Sequence, residues 1–176
     1  MQVLVSAGSR HGSTKEIAIL IARTLEHEGI ESQLIDPADA INVSDFDALI
    51  IGSAIYMGQW LVSARELLER VATQVTHDRI WLFSSGLADS PSKEANSADK
   101  LTSKIATVSA RGHRHFPGKL DVLQLSIAER AAILAARGKY GDRRDMQVVA
   151  EWAKEIAKEL KSAQPKRDNS REVSIK

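Results

Sequence analysis

Apolar and polar positions alternate along the chain in blocks that fit strands and helices in turn. Short runs that are apolar throughout predict strands buried on both faces, and longer runs with apolar residues three or four positions apart predict helices. The predicted strands are Gln2–Ala7, Ser32–Ile35, Ala48–Ile51, Ile80–Phe83 and the less hydrophobic, edge-type His113–Lys119. The predicted helices are Thr14–Glu28, Val62–Val75, Ala98–Val108, an inserted Ile127–Arg137 and Met146–Lys161.

This order of elements favours an α/β fold, in which helices cover both faces of an open parallel sheet. Residues 1–161 are predicted to form one domain, since a chain of 176 residues is long enough for a single core. Residues 162–176 are polar and are predicted to form a disordered tail. Ligands of such sheets bind beyond the carboxyl ends of the strands, where the strand order reverses.

The composition is that of an ordinary soluble globular protein, with 43% hydrophobic and 27% charged residues. The chain contains no cysteine, which excludes disulfides, thiolate metal sites and a cysteine nucleophile. It shows neither an apolar run of the roughly 18–20 residues that a membrane span needs nor a signal-peptide pattern. A cytoplasmic location is therefore predicted.

The net charge of +1 conceals an uneven distribution along the chain. Residues 1–60 carry 3 basic and 8 acidic side chains, whereas residues 100–144 carry 10 basic and 3 acidic ones, a local balance of 10 − 3 = +7. Such a basic segment fits an anionic ligand, an acidic membrane surface or a nucleic acid. The alternative is a solvated face with no binding role.

Small and hydroxyl-bearing residues fill the turn between the first predicted strand and the first predicted helix. Glycine lets the backbone approach a ligand closely, and the first N–H groups of the helix lie at its positive end. The predicted phosphate-binding residues are Ser9, Arg10, His11, Gly12, Ser13 and Thr14. The alternative is a capped helix start, because Ser13 or Thr14 is also a good N-cap residue.

Two further loops follow the third and fourth predicted strands and belong to the same edge of the sheet. In GSAIYMG, Tyr56, or Trp60 just after it, would stack on a planar ring; alternatively both pack on the next helix. The SSGLAD loop offers backbone amides that suit the edge of a pyrimidine ring, although Asp89 is equally a turn residue. The predicted ring-binding residues are Ser53, Ala54, Ile55, Tyr56, Met57, Gly58, Ser84, Ser85, Gly86, Leu87, Ala88 and Asp89.

Several common phosphate-related patterns are absent from the sequence. No lysine follows Gly12 as in a nucleoside triphosphate loop, and no G-x-G-x-x-G dinucleotide fingerprint occurs. Ala7-Gly8 and Gly52-Ser53 stand where a phosphorelay receiver domain carries its acidic residues. No motif assigns a catalytic acid or base, and no metal site is predicted.

The three loops together resemble those of flavodoxin-like FMN-binding proteins. SRHGST matches the flavin phosphate loop, GSAIYMG the loop that borders the isoalloxazine, and SSGLADS the loop at its pyrimidine end. With HFPGKLD and GDRRD…WAKEIAKEL, the pattern over residues 2–160 is similar to the menaquinone-dependent protoporphyrinogen IX dehydrogenase branch. The resemblance implies FMN as cofactor and a doubly wound, five-stranded parallel sheet, order 2-1-3-4-5, in three α-β-α layers.

The resemblance also implies an FMN-dependent oxidoreductase of porphyrin biosynthesis. Such an enzyme oxidises protoporphyrinogen IX or another reduced organic donor and passes the electrons to a quinone. Two alternatives stay open, a flavodoxin-type electron carrier for a partner redox protein and a structural module that has lost its ligand. A pI of about 8.0 opposes the carrier, because carriers of this type usually present an acidic face.

The basic segment is expected to lie beside the flavin, where it would meet an anionic donor or an acidic membrane. Peripheral contact with the inner face of the membrane is therefore predicted, no nucleic-acid partner is expected, and the oligomeric state is open. The basic residues concerned are Lys119, Arg130, Arg137, Lys139, Arg143 and Arg144.

Overall fold

The computed structural model describes residues 1–56, 58–86, 108–120, 126–128, 130–131 and 141–163. The strands within these ranges are β1 (Gln2–Gly8), β2 (Glu31–Leu34), β3 (Ala48–Tyr56), β4 (Gln59–Trp60), β5 (Ile80–Gly86), β6 (Gly112–Pro117), β7 (Lys119–Leu120) and β8 (Gly141–Asp142). The helices are α1 (Ser13–His27), α2 (Val62–Gln74) and α3 (Met146–Ser162), with a 3₁₀ turn at Val43–Asp45.

The five longer strands form one parallel sheet in the order β2-β1-β3-β5-β6. Counted among these five strands alone, the order is 2-1-3-4-5, so the predicted fold and strand order are confirmed. Two short antiparallel pairings, which the sequence pattern did not predict, are added to this sheet topology. β4 pairs with the end of β3, and β7 pairs with β8 in a separate two-stranded ribbon.

Alternate residues of each strand face the two sides of the sheet, and each side has its own apolar cluster. On one side, Val3 and Val5 of β1 pack in a cluster with Ile17 of α1 and Ile156 of α3. On the other side, Leu4 lies in a cluster with residues of α2, among them Leu67, Leu68 and Val71. Both faces of the sheet are therefore buried at its centre, which explains the apolar runs of the central strands β1, β3 and β5.

Two strands are longer than the sequence predicted. The expected strand ends at Ile51, just before Gly52, and at Phe83 are wrong, because β3 continues to Tyr56 and β5 to Gly86. Gly52 does not end a strand; it makes room for the Phe83 ring, which a Cβ at position 52 would overlap.

Three predicted segments fall mostly outside the described residues. These are the helix over residues 98–108, of which only Val108 is described, the inserted helix over 127–137 beyond position 131, and the tail after position 163. Ile127 and Ala128, at the start of the predicted inserted helix, are helical. Helix α3 ends at Ser162, one residue beyond its predicted end.

We predict that Gly52→Ala destabilises the protein strongly. The new methyl group would have to displace the buried Phe83 ring, and overpacking of a dense core costs typically about 1–3 kcal/mol. Chemical denaturation of the purified variants would measure the loss. The matched control is Gly112→Ala, whose Cβ would meet its nearest atom, Cδ1 of Trp81, at 4.0 Å, an ordinary contact distance. Equal stability of the two variants would contradict the proposed role of Gly52.

Candidate functional site

The carboxyl ends of β1, β3, β5 and β6 meet at one edge of the sheet, because these strands are parallel neighbours. The loop over residues 9–12 follows β1 at this edge, and the tight turn between β3 and β4 lies beside it. Gly86 ends β5, and its carbonyl oxygen accepts a hydrogen bond from the Gly118 N–H at 2.8 Å. The three predicted loops therefore start from the same edge, as the sequence pattern indicated.

Helix α1 begins with an open N-terminus next to this edge. Its N-cap is Gly12, in the left-handed region at φ 79°, and no side chain caps it with a hydrogen bond. The alternative in which Ser13 or Thr14 serves as the N-cap is therefore wrong. No described atom lies within 4 Å of where a Cβ on Gly12 would stand. The first N–H groups of an α-helix have no partners inside the helix, so this uncapped start suits an anion.

Ser13 joins this N-terminus to the ribbon formed by β7 and β8. The backbone N–H of Lys119 donates to Ser13 Oγ at 3.2 Å, and Arg144 Nη1 donates to the Ser13 carbonyl oxygen at 3.1 Å. The two ends of the segment between β7 and β8 are thus attached to the helix start that carries the predicted phosphate-binding residues. This supports the expectation that the segment starts and ends close to the site.

Tyr56 brings the loop after β1 and the end of β3 together. Its ring lies 5.6 Å from the Arg10 guanidinium carbon and 6.3 Å from the His11 ring centre. The first distance is within the range of cation–π attraction. Arg10, His11 and Tyr56 form a polar and aromatic wall between the predicted phosphate loop and the predicted ring loop.

Trp60 does not lie at the surface, so the prediction that it stacks on a bound ring is wrong. Its side chain is buried, and its Nε1–H donates to Ser84 Oγ at 2.8 Å. Ser84 Oγ is in turn 2.8 Å from His113 Nε2. Because the indole can only donate, the Ser84 hydroxyl proton is available to His113, which fits a neutral ring with Nε2 as acceptor. We call these three residues the Trp60–Ser84–His113 chain.

The environment of His113 favours the neutral ring. Burial lowers the pKa of His113 below its usual value of 6.5, and the nearby His115 lowers this pKa further. Protonation of His113 would turn its Nε2 from an acceptor into a donor and remove the partner of the Ser84 hydroxyl proton. The chain that holds β4 against β5 therefore depends on an uncharged histidine.

Several predicted ring-binding residues have internal roles. Ser53 is fully buried, and its Oγ accepts the Leu61 N–H at 2.9 Å at the start of α2. Ser85 and Ala54 are also buried, whereas Ile55, Tyr56 and Gly86 are partly exposed at the edge. Gly58 has a positive φ of 73° in the turn that joins β3 to β4. The remaining predicted residues, Met57, Leu87, Ala88 and Asp89, lie outside the described residues.

Acidic partners neutralise much of the basic segment that the structure describes. Arg111 pairs with Asp78 at 3.1 Å, and Arg114 lies 4.0 Å from Glu155. Arg144 was expected to meet a ligand or membrane, but its side chain is buried and paired with acidic groups. The expectation of a freely presented charge at Arg144 is wrong. None of the helices in the described ranges is long and apolar enough to cross a membrane.

The Trp60–Ser84–His113 chain and the buried position of Arg144 could not be predicted from the residue pattern. The three residues of the chain come from β4, β5 and β6, so no local motif joins them. A polar residue that interrupts the apolar run of β5 was the one available signal, since a buried hydroxyl needs partners. For Arg144, the signal was the run GDRRD, in which Asp142 stands two positions away.

Comparison with protein families matches residues 4–146 to the model of the flavodoxin domain. Comparison with curated protein sequences gives no significant match.

Solved structures share the fold at low sequence identity. A flavodoxin from the domain Archaea is 15% identical, with a TM-score of 0.63 over 92% of this chain and 99% of its own. The Flv1 flavodiiron core from Synechocystis sp. PCC6803 is 16% identical, with a TM-score of 0.66 over 93% of this chain and 37% of its own. The rubredoxin oxygen:oxidoreductase from Desulfovibrio gigas is 18% identical, with a TM-score of 0.61 over 92% of this chain and 36% of its own. These similarities concern the fold.

We predict that His113 makes stability depend on pH. Its folded-state pKa is lowered, so below about pH 6.5 the unfolded chain binds more protons, and stability falls as the pH falls through the folded-state pKa. Between pH 7.5 and 5, the free energy of unfolding of wild type should fall by about 1 kcal/mol relative to that of His113→Gln. This is the net value of one hydrogen bond. Urea denaturation at several pH values measures this difference. Parallel profiles for His113→Gln and wild type would refute the prediction.

Proposed function

Because the chain belongs to the flavodoxin domain family, we propose that it is an FMN-dependent oxidoreductase whose cofactor lies at the carboxyl edge of the sheet. The family is one of FMN-binding proteins, so the predicted cofactor is confirmed. One observation carries the placement of the site. The open, uncapped start of α1 at Gly12 lies beside the wall formed by Arg10, His11 and Tyr56.

The residues at this edge fit the two ends of FMN. The first-turn N–H groups of α1 and the hydroxyl groups of Ser9, Ser13 and Thr14 are donors that suit a phosphate dianion. Tyr56, at the end of β3, offers an aromatic face to the isoalloxazine. When bound, FMN supplies the redox chemistry, and the protein contributes binding, orientation and the surrounding charge.

The Trp60–Ser84–His113 chain supports the strand pair β3–β4, which carries Tyr56. Trp60 pairs with Ile55 in the ladder between β3 and β4, so its bond to Ser84 fixes the strand that leads to Tyr56. A ring-binding residue needs such support, because an aromatic side chain on a loosely held hairpin would not orient a cofactor. In this proposal His113 acts through Ser84 and Trp60 and does not touch the cofactor.

We infer that the donor is a reduced organic molecule with anionic groups, protoporphyrinogen IX or one of its class, and that the acceptor is a quinone. The segment between β7 and β8 supports this, because it is attached at both ends next to the predicted phosphate loop. Lys119 and Arg143 lie at these two ends, and residues 121–140 between them include Arg130, Arg137 and Lys139. A positive segment beside the cofactor would attract carboxylates of a donor.

The same basic segment supports peripheral contact with an anionic membrane, in which a quinone is dissolved. Attraction of a basic side chain to anionic lipid is worth about 1 kcal/mol near the surface and decays within a Debye length. Contact with the inner face of the membrane would therefore bring the cofactor site to the acceptor.

A flavodoxin-type electron carrier is the second candidate. The archaeal flavodoxin aligns over 99% of its own length with 92% of this chain, so the two are similar in size. The charge of the segment beside the site argues for the oxidoreductase, since an acidic face steers a carrier to basic partners. The experiments below distinguish the two.

We predict that FMN binds more tightly than riboflavin, which lacks the phosphate. The double variant Ser9→Ala/Thr14→Ala should weaken FMN binding at least about a hundredfold, because each hydrogen bond to a charged group is worth roughly 1.5–3 kcal/mol. Riboflavin binding should change little. Fluorescence titration of the apoprotein gives both dissociation constants. Thr24→Ala, farther along α1, is the control, and equal affinities of wild type for both flavins would exclude a phosphate site.

We predict anaerobic reduction of a menaquinone analogue with protoporphyrinogen as donor, faster in anionic than in zwitterionic vesicles at low salt. Arg137→Glu/Arg143→Glu should reduce this rate and its salt dependence, since the reversed charges would repel donor and lipid. The matched control is Arg23→Glu/Lys158→Glu, with two exposed positions on α1 and α3. Absence of turnover together with rapid single-electron exchange with a redox protein would favour the carrier.

A further inference from the structure

Arg144 is a buried arginine at the predicted phosphate site. Its side chain is 5% exposed and lies between β8 and the first turn of α1. Its Nη2 donates to Asp142 Oδ2 at 2.7 Å and its Nε to Asp142 Oδ1 at 2.9 Å. Its Nη1 donates to Glu16 Oε2 at 2.7 Å and to the Ser13 carbonyl oxygen at 3.1 Å. A buried charge with this many partners is held in one position.

Glu16 poses an electrostatic problem for an anion at this site. It lies in the first turn of α1, where a carboxylate is attracted to the positive end of the helix and competes with a bound anion for it. It would also repel a phosphate dianion directly, and because the Glu16 side chain is 51% exposed this repulsion is strongest at low ionic strength. The Arg144 guanidinium binds one oxygen of Glu16 and, together with Lys119 near Asp142, balances the charges of the Glu16 and Asp142 carboxylates.

Ser13 receives its orientation from the same contacts. Arg144 holds the Ser13 carbonyl oxygen, and the Lys119 N–H donates to Ser13 Oγ. An oxygen that already accepts one hydrogen bond keeps its own proton for donation elsewhere. The Ser13 hydroxyl is thus prepared to donate to an anion at the start of the helix.

We propose that Arg144 is a positioning residue for the phosphate group of the cofactor: it pairs with Glu16 and fixes Ser13 at the start of α1. This proposal rests on the proposed function, since it assumes that FMN binds there. It assigns Arg144 no contact with the cofactor. Asp142 fixes the other side of the guanidinium, so the bridge runs from β8 through Arg144 to α1.

The bridge is charged over the whole neutral range. Hydrogen bonding from Arg144 lowers the pKa of Asp142 to about 2, and Lys119 contributes to this shift. The pKa of Arg144 itself is raised by its hydrogen bond to Asp142 and by Glu16. Flavin-binding titrations at neutral pH therefore test the bridge between Asp142 and Arg144 in its ionised form.

The test compares FMN and riboflavin affinities in wild type, Arg144→Gln, Glu16→Gln and the double variant. Arg144→Gln should weaken FMN binding at least about tenfold more than riboflavin binding, because it leaves the Glu16 charge uncompensated next to the phosphate. The double variant should recover part of this loss, since it removes the repelling charge. Glu16→Gln alone should bind FMN at least as tightly as wild type. Arg114→Gln, which removes a surface ion pair elsewhere, is the control and should resemble wild type.

The outcomes separate this proposal from the one on which it rests. Wild type that binds FMN and riboflavin equally would overturn the proposed function and this inference together. Wild type that prefers FMN, with both flavins weakened equally by Arg144→Gln, would overturn only the positioning role and leave Arg144 a structural bridge. If Arg144→Gln does not fold, Glu16→Gln still decides, because weaker FMN binding in that variant contradicts the argument from the Glu16 charge.

Discussion

The common direction of five strands determines where the chemistry of this protein takes place. Parallel neighbours bring all their carboxyl ends to one edge, and helices on both faces leave that edge as the place where backbone groups remain open. β1 lies between β2 and β3, so the chain builds the sheet outward in both directions from it. Helix α1 covers one face and α2 the other, and the strand order reverses between β1 and β3, which is where ligands of such sheets bind.

The strands themselves were predictable, and their ends were not. A strand buried on both faces has to be apolar at every position, which makes Val3–Val5 or Leu49–Ile51 recognisable without any structure. Gly52 looks the same in a sequence whether it ends a strand or makes room for a ring. The difference depends on Phe83, thirty-one positions away along the chain, which packs over it. The short strand β4 is likewise defined only by its partner.

The candidate site shows the same division between local and long-range information. The loop at Ser9–Thr14 was predictable because its residue types alone suit a helix start that binds an anion. The partners of the serines of β3 and β5 were not predictable, because Ser53 and Ser84 direct their hydroxyl groups into the protein. Trp60 and Ser84 are 24 positions apart, and Ser84 and His113 are 29 apart. Polar side chains that meet across such sequence separations show no regular spacing in the sequence.

The ion pair between Glu16 and Arg144 joins positions that are 128 residues apart in the chain. On the ribosome the N-terminal part of a domain emerges first, so β1 and α1 exist well before their partner. Glu16 at the start of α1 therefore gains its arginine partner only after residue 144 has been synthesised, just before α3. A nascent chain that ends before residue 144 has Glu16 at the start of α1 without its arginine partner.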